Sequence, residues 1–403
     1  MSALSATSHG ASGQPPLADR KAETTAGLSI SVVRTREAFD ALAVQWAELE
    51  TQTAGAVLFQ SSGWARAIFD FETARGNGAF DPIIATISEG SKLVAVLPLE
   101  RVKTQARTIL APIGHAFAQY SDVLLSSQHD PRASLACLLQ AAIAAAPCDS
   151  VSFLKVREDS ALARGMPEHH VVTGTEQGAP YVALDGFADY AAYFATIKPK
   201  TRKNLRNSRN RLERDGPLVH HVAVDPQEKL AIIERTLVGR AGRLRDQGLS
   251  SRAFRDSAFA DFCKGLTNRT DIDLMAMSLR HNDTPIAEQW GFVHKQRYYA
   301  FVASRDFGHS EESPGKLHLG EVIEACAERG LAGADLMVPV MPYKLTWSTD
   351  VIAVKDYALP VTPRGLLVLN LWDKRLRPWF KQAVLNLPKG LRAVLMKASG
   401  RGL

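Results

Sequence analysis

Glu288 is the residue of this 403-residue chain whose surroundings best suit it to exchange a proton. It stands in the run 285–293, PIAEQWGFV, among Ile286, Ala287, Trp290 and Phe292. A carboxyl in apolar surroundings has its charged form penalised, which lifts its pKa toward the range useful to a base. Strand alternation equally allows an outward-facing residue, so both readings stand. Asp122, in YSDVLL (120–125), is either a second proton-handling group in a cleft or a turn and cap residue. Residues 198–215, KPKTRKNLRNSRNRLERD, form a basic helix in which Lys200, Arg202 and Arg206 are candidates for holding an anion; a helix so polar is otherwise a solvated one. The four cysteines (Cys137, Cys148, Cys263, Cys326) are far apart, and neither they nor the pairs His169-His170 and His220-His221 have metal-ligand spacing. No metal is expected.

The elements that must position these groups follow a mixed α/β order. A strand at 29–34 feeds a helix with Phe39, Leu42, Trp46 and Leu49 on one face. Strands at 83–87, 92–99 and 107–113, a helix at 133–146 and a strand at 151–156 complete a first lobe, 28–185. In a second lobe, 186–360, the basic helix ends at Gly216-Pro217 and helices at 226–244 and 252–267 follow. Strands are expected at 271–280, 285–293 and 297–303. Ser313 is placed to cap a helix that starts at Pro314 and ends at Arg329-Gly330. Strands at 334–338 and 351–359 close the lobe.

The chain is 46% apolar with 7% aromatics, and no run approaches the ~18 apolar residues of a membrane span. Residues 1–27 are small and polar without the apolar stretch of a secretory signal, so they read as a disordered arm on a cytoplasmic protein. The net charge of +6 is concentrated at the end of the chain. Residues 364–403 carry nine cations against Asp373 alone, a local charge of +8 that leaves the rest near −2. The body is therefore no general nucleic-acid binder, and DNA is not an expected partner. The tail, 361–403, mixes these cations with Leu366, Leu369, Trp372, Leu376, Trp379 and Phe380. That pattern suits an amphipathic helix on an anionic membrane surface, which would place the protein peripherally at the inner membrane, or a helix packed on the body.

The basic helix, the strand pair PIAEQWGFVHKQRYYAFVASRDF, the loop and helix SPGKLHLGEVIEACAERG and the run ADLMVPVMPYKLTW resemble the GNAT-like acetyltransferases of the CelD polysaccharide-biosynthesis type. More distantly they resemble the FemAB transferases, which pair two GNAT folds; LFQSSGWARA and AQYSDVLL in the first lobe fit as well. The resemblance spans roughly 59–359 and implies a tandem, two-lobe GNAT-like architecture. It implies acetyl-CoA or another acyl-CoA as co-substrate, held between parted strands, with its pyrophosphate at a helix start. The implied cofactor residues are Tyr299, Phe301, Ser313, Gly315 and Lys316, with Arg305, Gly308 and Ser310 approximating the phosphate loop beside Glu311 and Glu312. It also implies Tyr343 as proton donor to the leaving thiolate, Lys344 as a phosphate or oxyanion contact and Trp347 as a platform for a sugar ring. The expected acceptor is a sugar, a nucleotide-sugar or a lipid-linked sugar of exopolysaccharide, holdfast or envelope synthesis. A cyclic dinucleotide binding the tail follows from that context. Aminoacyl transfer from charged tRNA, and a non-catalytic scaffold regulating a polysaccharide synthase, are the rival expectations.

Overall fold

A computed structural model describes residues 22–25, 27–76, 78–104, 106–246, 257–305 and 312–376, together with 379, 383, 386 and 387. Residues 1–21, Gly308, Ser310, Glu311 and most of the tail beyond 376 lie outside the described residues. The arm expected over 1–27 ends earlier, because β1 (Ala22–Thr25) pairs with β2 (Leu28–Val33).

After β2 the first lobe runs through α1 (Arg36–Gln52), α2 (Ser62–Arg75), β3 (Pro82–Glu89), β4 (Lys92–Lys103), β5 (Thr108–Pro112), β6 (Leu124–Leu125), α3 (Pro131–Ala145), β7 (Ser150–Arg157), α4 (Ala161–Gly165) and β8 (Val171–Ala183). The second lobe is entered through α5 (Tyr190–Thr196) and α6 (Pro199–Asp215). It then repeats the same order with β9 (Leu218–Ala223), α7 (Pro226–Asp246), α8 (Ser257–Gly265), β10 (Asp273–His281), β11 (Thr284–His294), β12 (Arg297–Arg305), α9 (Pro314–Glu328), β13 (Gly333–Asp335), α10 (Pro342–Leu345) and β14 (Asp350–Pro360). α11 (Pro363–Val368) opens the tail.

Each lobe is a strand, two helices, a three-strand meander, a helix, a parallel strand and a final strand. The final strands are exchanged. β14 does not close the second lobe, as the sequence suggests, but inserts between β7 and β8, while β8 lies between β14 and β13. One mixed sheet therefore runs through both lobes, and β8, 13 residues long, pairs with two strands of the second lobe, β14 and β13. β8 is not expected from the sequence because Gly174, Gly178 and Pro180 read as strand breakers. In the sheet Gly174 takes a positive φ where the register shifts. Gly178 leaves room for the strand crossing, since a Cβ there would come within 2.6 Å of Val351 and 2.7 Å of Val340.

The alternation of β3 and β4 divides the core between two faces. Ile84, Leu93 and Val96 face α1 and α2, while Ile83, Ala85 and Val94 face α3. On the first face the helices of both lobes meet in one aromatic cluster. Trp64 packs edge-on against Phe59 (5.0 Å), Phe262 (5.3 Å) and Phe292 (5.9 Å), and Phe117 stacks on Phe262 at 4.6 Å. Such rings are each worth roughly 3–5 kcal/mol on truncation, which makes the lobes one folding unit rather than two linked beads. The tail begins against the first lobe, where Thr362 donates to Asp149 (2.8 Å) and Arg107 pairs with Asp373 (2.5 Å). Leu366, Leu367, Leu371 and Trp379 remain exposed. Among the described residues no helix is long and apolar enough to cross a membrane.

On the inner face of α9, His318 is 2% exposed, and its ring centroid lies 5.5 Å from that of His220 on β9. Burial, with the His220 ring adding, drives the His318 pKa down to about 3; burial, with His221 and Arg209 adding, takes His220 to about 4. In the unfolded chain both titrate near ~6.5. The unfolded state thus binds protons first as pH falls, so this stability is complete above about pH 6.5 and is lost on the way to pH 3–4. Denaturant titrations between pH 6 and 4 are expected to show His318 contributing a fall of about 1.4 kcal/mol per pH unit. His318→Phe should flatten that slope, and an unchanged slope would contradict the assignment.

Candidate functional site

β12 and β13 pair in parallel over three positions, Arg297 with Gly333, Tyr298 with Ala334 and Tyr299 with Asp335, and then part. β12 continues to Arg305 on the opposite side, along β11. The reason for the parting lies at Met337, which has φ 59°. Leu336 donates its N–H to Pro180 of β8, so the alternating Met337 groups are the ones due to pair with β12. Asp335 Oδ1 accepts the Met337 N–H at 2.8 Å, and Lys344 Nζ donates to the Met337 carbonyl at 2.8 Å and to Pro339 at 3.1 Å. Both ladder groups of Met337 are thus consumed by side chains. The expected strand 334–338 stops at Asp335 for that reason, and the β12 edge beyond Tyr299 has no strand partner on this side among the described residues.

A bulge lies on the same stretch of β12. Trp290 faces Val302 and Gly291 faces Ala300, so Phe301 is the extra residue. Gly291 is required there, because a Cβ would strike the Tyr299 carbonyl oxygen. The Phe301 ring is anchored 5.1 Å from both Trp290 and Phe292. Facing this opening, α9 begins at Ser313, at φ 51°, without a side-chain cap. The corresponding helix of the first lobe, α3, starts with the Asp130 carboxylate bonded to Ala133 N at 2.8 Å, and Ser121 Oγ closes onto Leu154 O at 2.6 Å beside β7. The start of α3 is thus capped by a carboxylate, while the Ser313 side chain leaves the start of α9 uncapped.

The parting point is tied to the first lobe by a buried polar cluster that sequence reasoning missed. Asp335 is 0% exposed and contacts the Arg157 guanidinium, while Tyr120 donates its hydroxyl to Asp335 at 3.0 Å. Burial raises the Asp335 pKa, against the pull of Arg157, the Met337 amide and Tyr120. Burial also opposes the charge of Arg157, but its bonds to Asp159 and the charge of Asp335 outweigh it and hold the guanidinium above its ordinary pKa. Burial and the Asp335 charge push the Tyr120 hydroxyl well up, which keeps it a donor. Each of the three is a residue type common in ordinary surface ion pairs and turns, and only the pairing of distant strands brings them together.

Of the candidate site residues, Tyr343 stands at the mouth of this opening, 37% exposed, at the start of α10. Burial of its hydroxyl raises its pKa, with Arg240, Arg243 and Arg305 acting in the opposite sense. Lys344 borders the opening, but its ammonium is engaged by the carbonyls of Met337 and Pro339 rather than left for a phosphate; burial lowers its pKa to about 8. Gly315 and Lys316 form the first turn of α9, and a Cβ on Gly315 would lie 3.3 Å from Arg305 Cδ. Ser313 does not cap with its hydroxyl; its carbonyl accepts from Lys316 N at 2.9 Å. Tyr299 and Phe301 lend backbone to the opening while their rings belong to the aromatic cluster.

Other candidates are corrected by their contacts. Glu288 is 5% exposed and faces α7, where Arg235 grips both carboxylate oxygens (2.7–3.1 Å). Asp122 spends its carboxylate on the amides of Val123 (2.8 Å) and Leu162 (2.9 Å) within the first lobe; burial raises its pKa to about 7, but nothing of the opening adjoins it. Trp347 is a core residue, 1% exposed, stacked on Phe194 at 6.1 Å and tight against Gly320, so no sugar ring can reach it. Lys200 and Arg206 are exposed on α6, and Arg202 turns back to the Ile197 carbonyl at 3.0 Å. α6 packs on α9 through Leu205, Ser208 and Leu212, which makes it a cover of the second lobe. Among the described residues no group of three or more His, Cys, Asp or Glu side chains clusters as a metal site.

The described geometry has known counterparts. Residues 199–345, the second lobe from α6 to α10, match the family model of the acetyltransferase (GNAT) domain. No curated protein matches the chain in sequence. Among solved structures, FemX superposes with a TM-score of 0.57 at 10% identity, covering 81% of this chain and 98% of that one. The L-PGS structure from Bacillus licheniformis gives a TM-score of 0.48 at 15% identity over 85% of this chain and 98% of its own. A tandem GNAT protein from the clavulanic acid biosynthesis pathway gives 0.47 at 11% identity over 83% and 99%. The fold is thus a mixed α/β, FemX-like tandem of two GNAT-type lobes. Its second lobe carries the match to a domain family that uses acyl-CoA.

Asp335→Asn is expected to destabilise the protein by about 3 kcal/mol or more, because it strips a buried guanidinium of a partner. Tyr120→Phe should cost about 1 kcal/mol. Chemical denaturation checks both; a near-neutral Asp335→Asn would show that the cluster does not hold the lobes at the opening.

Proposed function

We propose that this protein is an acyl-CoA-dependent acyltransferase that works at the β12–β13 opening of its second lobe and acylates an amino or hydroxyl group of a sugar precursor for exopolysaccharide or envelope synthesis. The observation that carries the reading is the edge of β12 beyond Tyr299, without a strand partner on that side among the described residues, bulged at Phe301 and facing the start of α9, where the Ser313 side chain makes no cap. An extended thioester carrier would lie along that edge, its pyrophosphate at the first turn of α9, where Gly315 allows close approach and Arg305 and Lys316 add charge. Backbone N–H groups at the bulge are fixed before any substrate arrives, which is what stabilising a developing oxyanion requires.

The acceptor nitrogen or oxygen forms its bond to the thioester carbonyl carbon, the C–S bond breaks, and Tyr343 gives its proton to the sulfur. A tyrosine whose pKa is raised by burial holds that proton at neutral pH, and the three nearby arginines ease its loss during transfer. The acceptor proton leaves to water, since Arg235 already occupies the Glu288 carboxylate. The sugar as acceptor rests on the likeness of the second-lobe stretches to CelD-type sequences, and the exposed leucines of the basic tail favour work close to an anionic membrane surface.

Release of thiol from acetyl-CoA in the presence of amino sugars tests the reading. Tyr343→Phe is expected to lower kcat by roughly 10²–10⁴ with unchanged acetyl-CoA affinity. Gly291→Ala should lower it by roughly 10²–10³ by removing the bulge. Failure of any acyl-CoA to bind, or full activity in Tyr343→Phe, would overturn it.

A further inference from the structure

The segment that joins β13 to β14 carries its apolar side chains on the outside. Val340, Met341, Tyr343 and Leu345 are 37–46% exposed, and Val351 at the start of β14 is 39% exposed. Val340 and Val351 meet in space, since a Cβ added at Gly178 would lie 2.7 Å from Val340 Cγ2 and 2.6 Å from Val351 Cγ1. From Leu336 to Tyr343 the sequence reads LMVPVMPY, without a charge or a side-chain amide, whereas surface connections are ordinarily built from polar and turn residues. Lys344, the cation that follows, is turned inward. Its Nζ donates to the carbonyls of Met337 and Pro339 and its N–H to that of Met341, which clasps the loop with its apolar side chains facing out. The core behind them is already filled by Leu336, Met337, Tyr299 and Val302. Single exposed apolar residues are ordinary, but a contiguous, clasped group at the mouth of an opening marks a binding surface. A protein seated on this group, or a second copy of the chain, would also cover Tyr343 and shut the opening. What covers it is therefore a molecule that enters, and one that is apolar where it meets Val340, Met341 and Leu345.

We propose that the acceptor is lipid-linked, with an aliphatic chain that lies on Val340, Met341, Leu345 and Val351 while its sugar reaches Tyr343. The inference rests on the transfer reading, which runs the donor along β12 to the start of α9 and so leaves the β13–β14 side of Tyr343 to the acceptor. The acyl group itself is short, because the filled core beside Met337 has no room for a second chain. Each methylene taken out of water adds about fourfold to affinity, of which an open surface recovers a part.

Thiol release from acetyl-CoA with the methyl and octyl glycosides of glucosamine, the latter below its micellar concentration, tests this in the full chain and in Met341→Gln/Leu345→Gln, with calorimetry following the binding of both glycosides. The octyl glycoside is expected to exceed the methyl glycoside by roughly 10-fold or more in kcat/KM and in affinity, and that ratio should fall toward unity in the variant. Acetyl-CoA affinity should stay within about twofold, and the variant should melt no lower, since it exchanges exposed apolar side chains for polar ones. A marked drop in melting temperature would expose a packing role and overturn the proposal, as would a ratio near unity in wild type or an undiminished ratio in the variant. A preference for octanoyl-CoA over acetyl-CoA that the variant loses would assign the surface to the donor's acyl chain and overturn it as well. Octyl glycoside binding that needs Met341 and Leu345, in a protein that binds no acyl-CoA, would leave the lipid surface standing and remove the transfer reading instead.

Discussion

The parallel pairing of β12 with β13 stops because Met337 has no hydrogen-bonding group left to offer. Its N–H is taken by Asp335 and its carbonyl by Lys344, and a backbone group that is satisfied by a side chain has no reason to close the sheet. The rest of the site follows from that. β12 keeps an unpaired edge, the Phe301 bulge sits on it, α9 starts opposite, and Tyr343 stands at the mouth because α10 follows three residues after the Val338-Pro339 pair. Holding Met337 at positive φ costs of order 1–3 kcal/mol, which the surrounding cluster must supply.

That supply comes from the other lobe. Asp335 is fixed by Arg157 and Tyr120, both from the first lobe, and β8 of the first lobe receives the Leu336 N–H. The exchange of β8 and β14 makes this possible, since it lays one lobe's final strand against the other lobe's parting strand. The first lobe has the same order of elements, but its helix start is capped by Asp130 and its gap is closed by Ser121. Of the two lobes with the same order of elements, one thus carries the opening and the other braces it.

Much of this was legible in the sequence where local chemistry decides. The meander 273–305, the helix begun at Pro314 and the helices α1, α3, α6 and α7 follow from periodicity and cap residues, and the family likeness anticipated the two-lobe fold. β8 was not legible, since Gly174, Gly178 and Pro180 signal turns unless the crossing strand that needs them is known. Glu288 and Trp347 looked like site residues because an acid or a tryptophan in an apolar run has the same pattern whether it faces a cleft, a partner arginine or a core. The Asp335 cluster gave no signal, because its meaning lies in residues more than a hundred positions away.

Hydrogen exchange of backbone amides during titration with acetyl-CoA tests the central claim most directly. The account predicts slowed exchange at Ala300, Phe301 and Val302 and at Gly315 and Lys316, with the corresponding start of α3 in the first lobe unchanged. Protection confined to the first lobe, or an unaltered β12 edge under saturating acetyl-CoA, would contradict it.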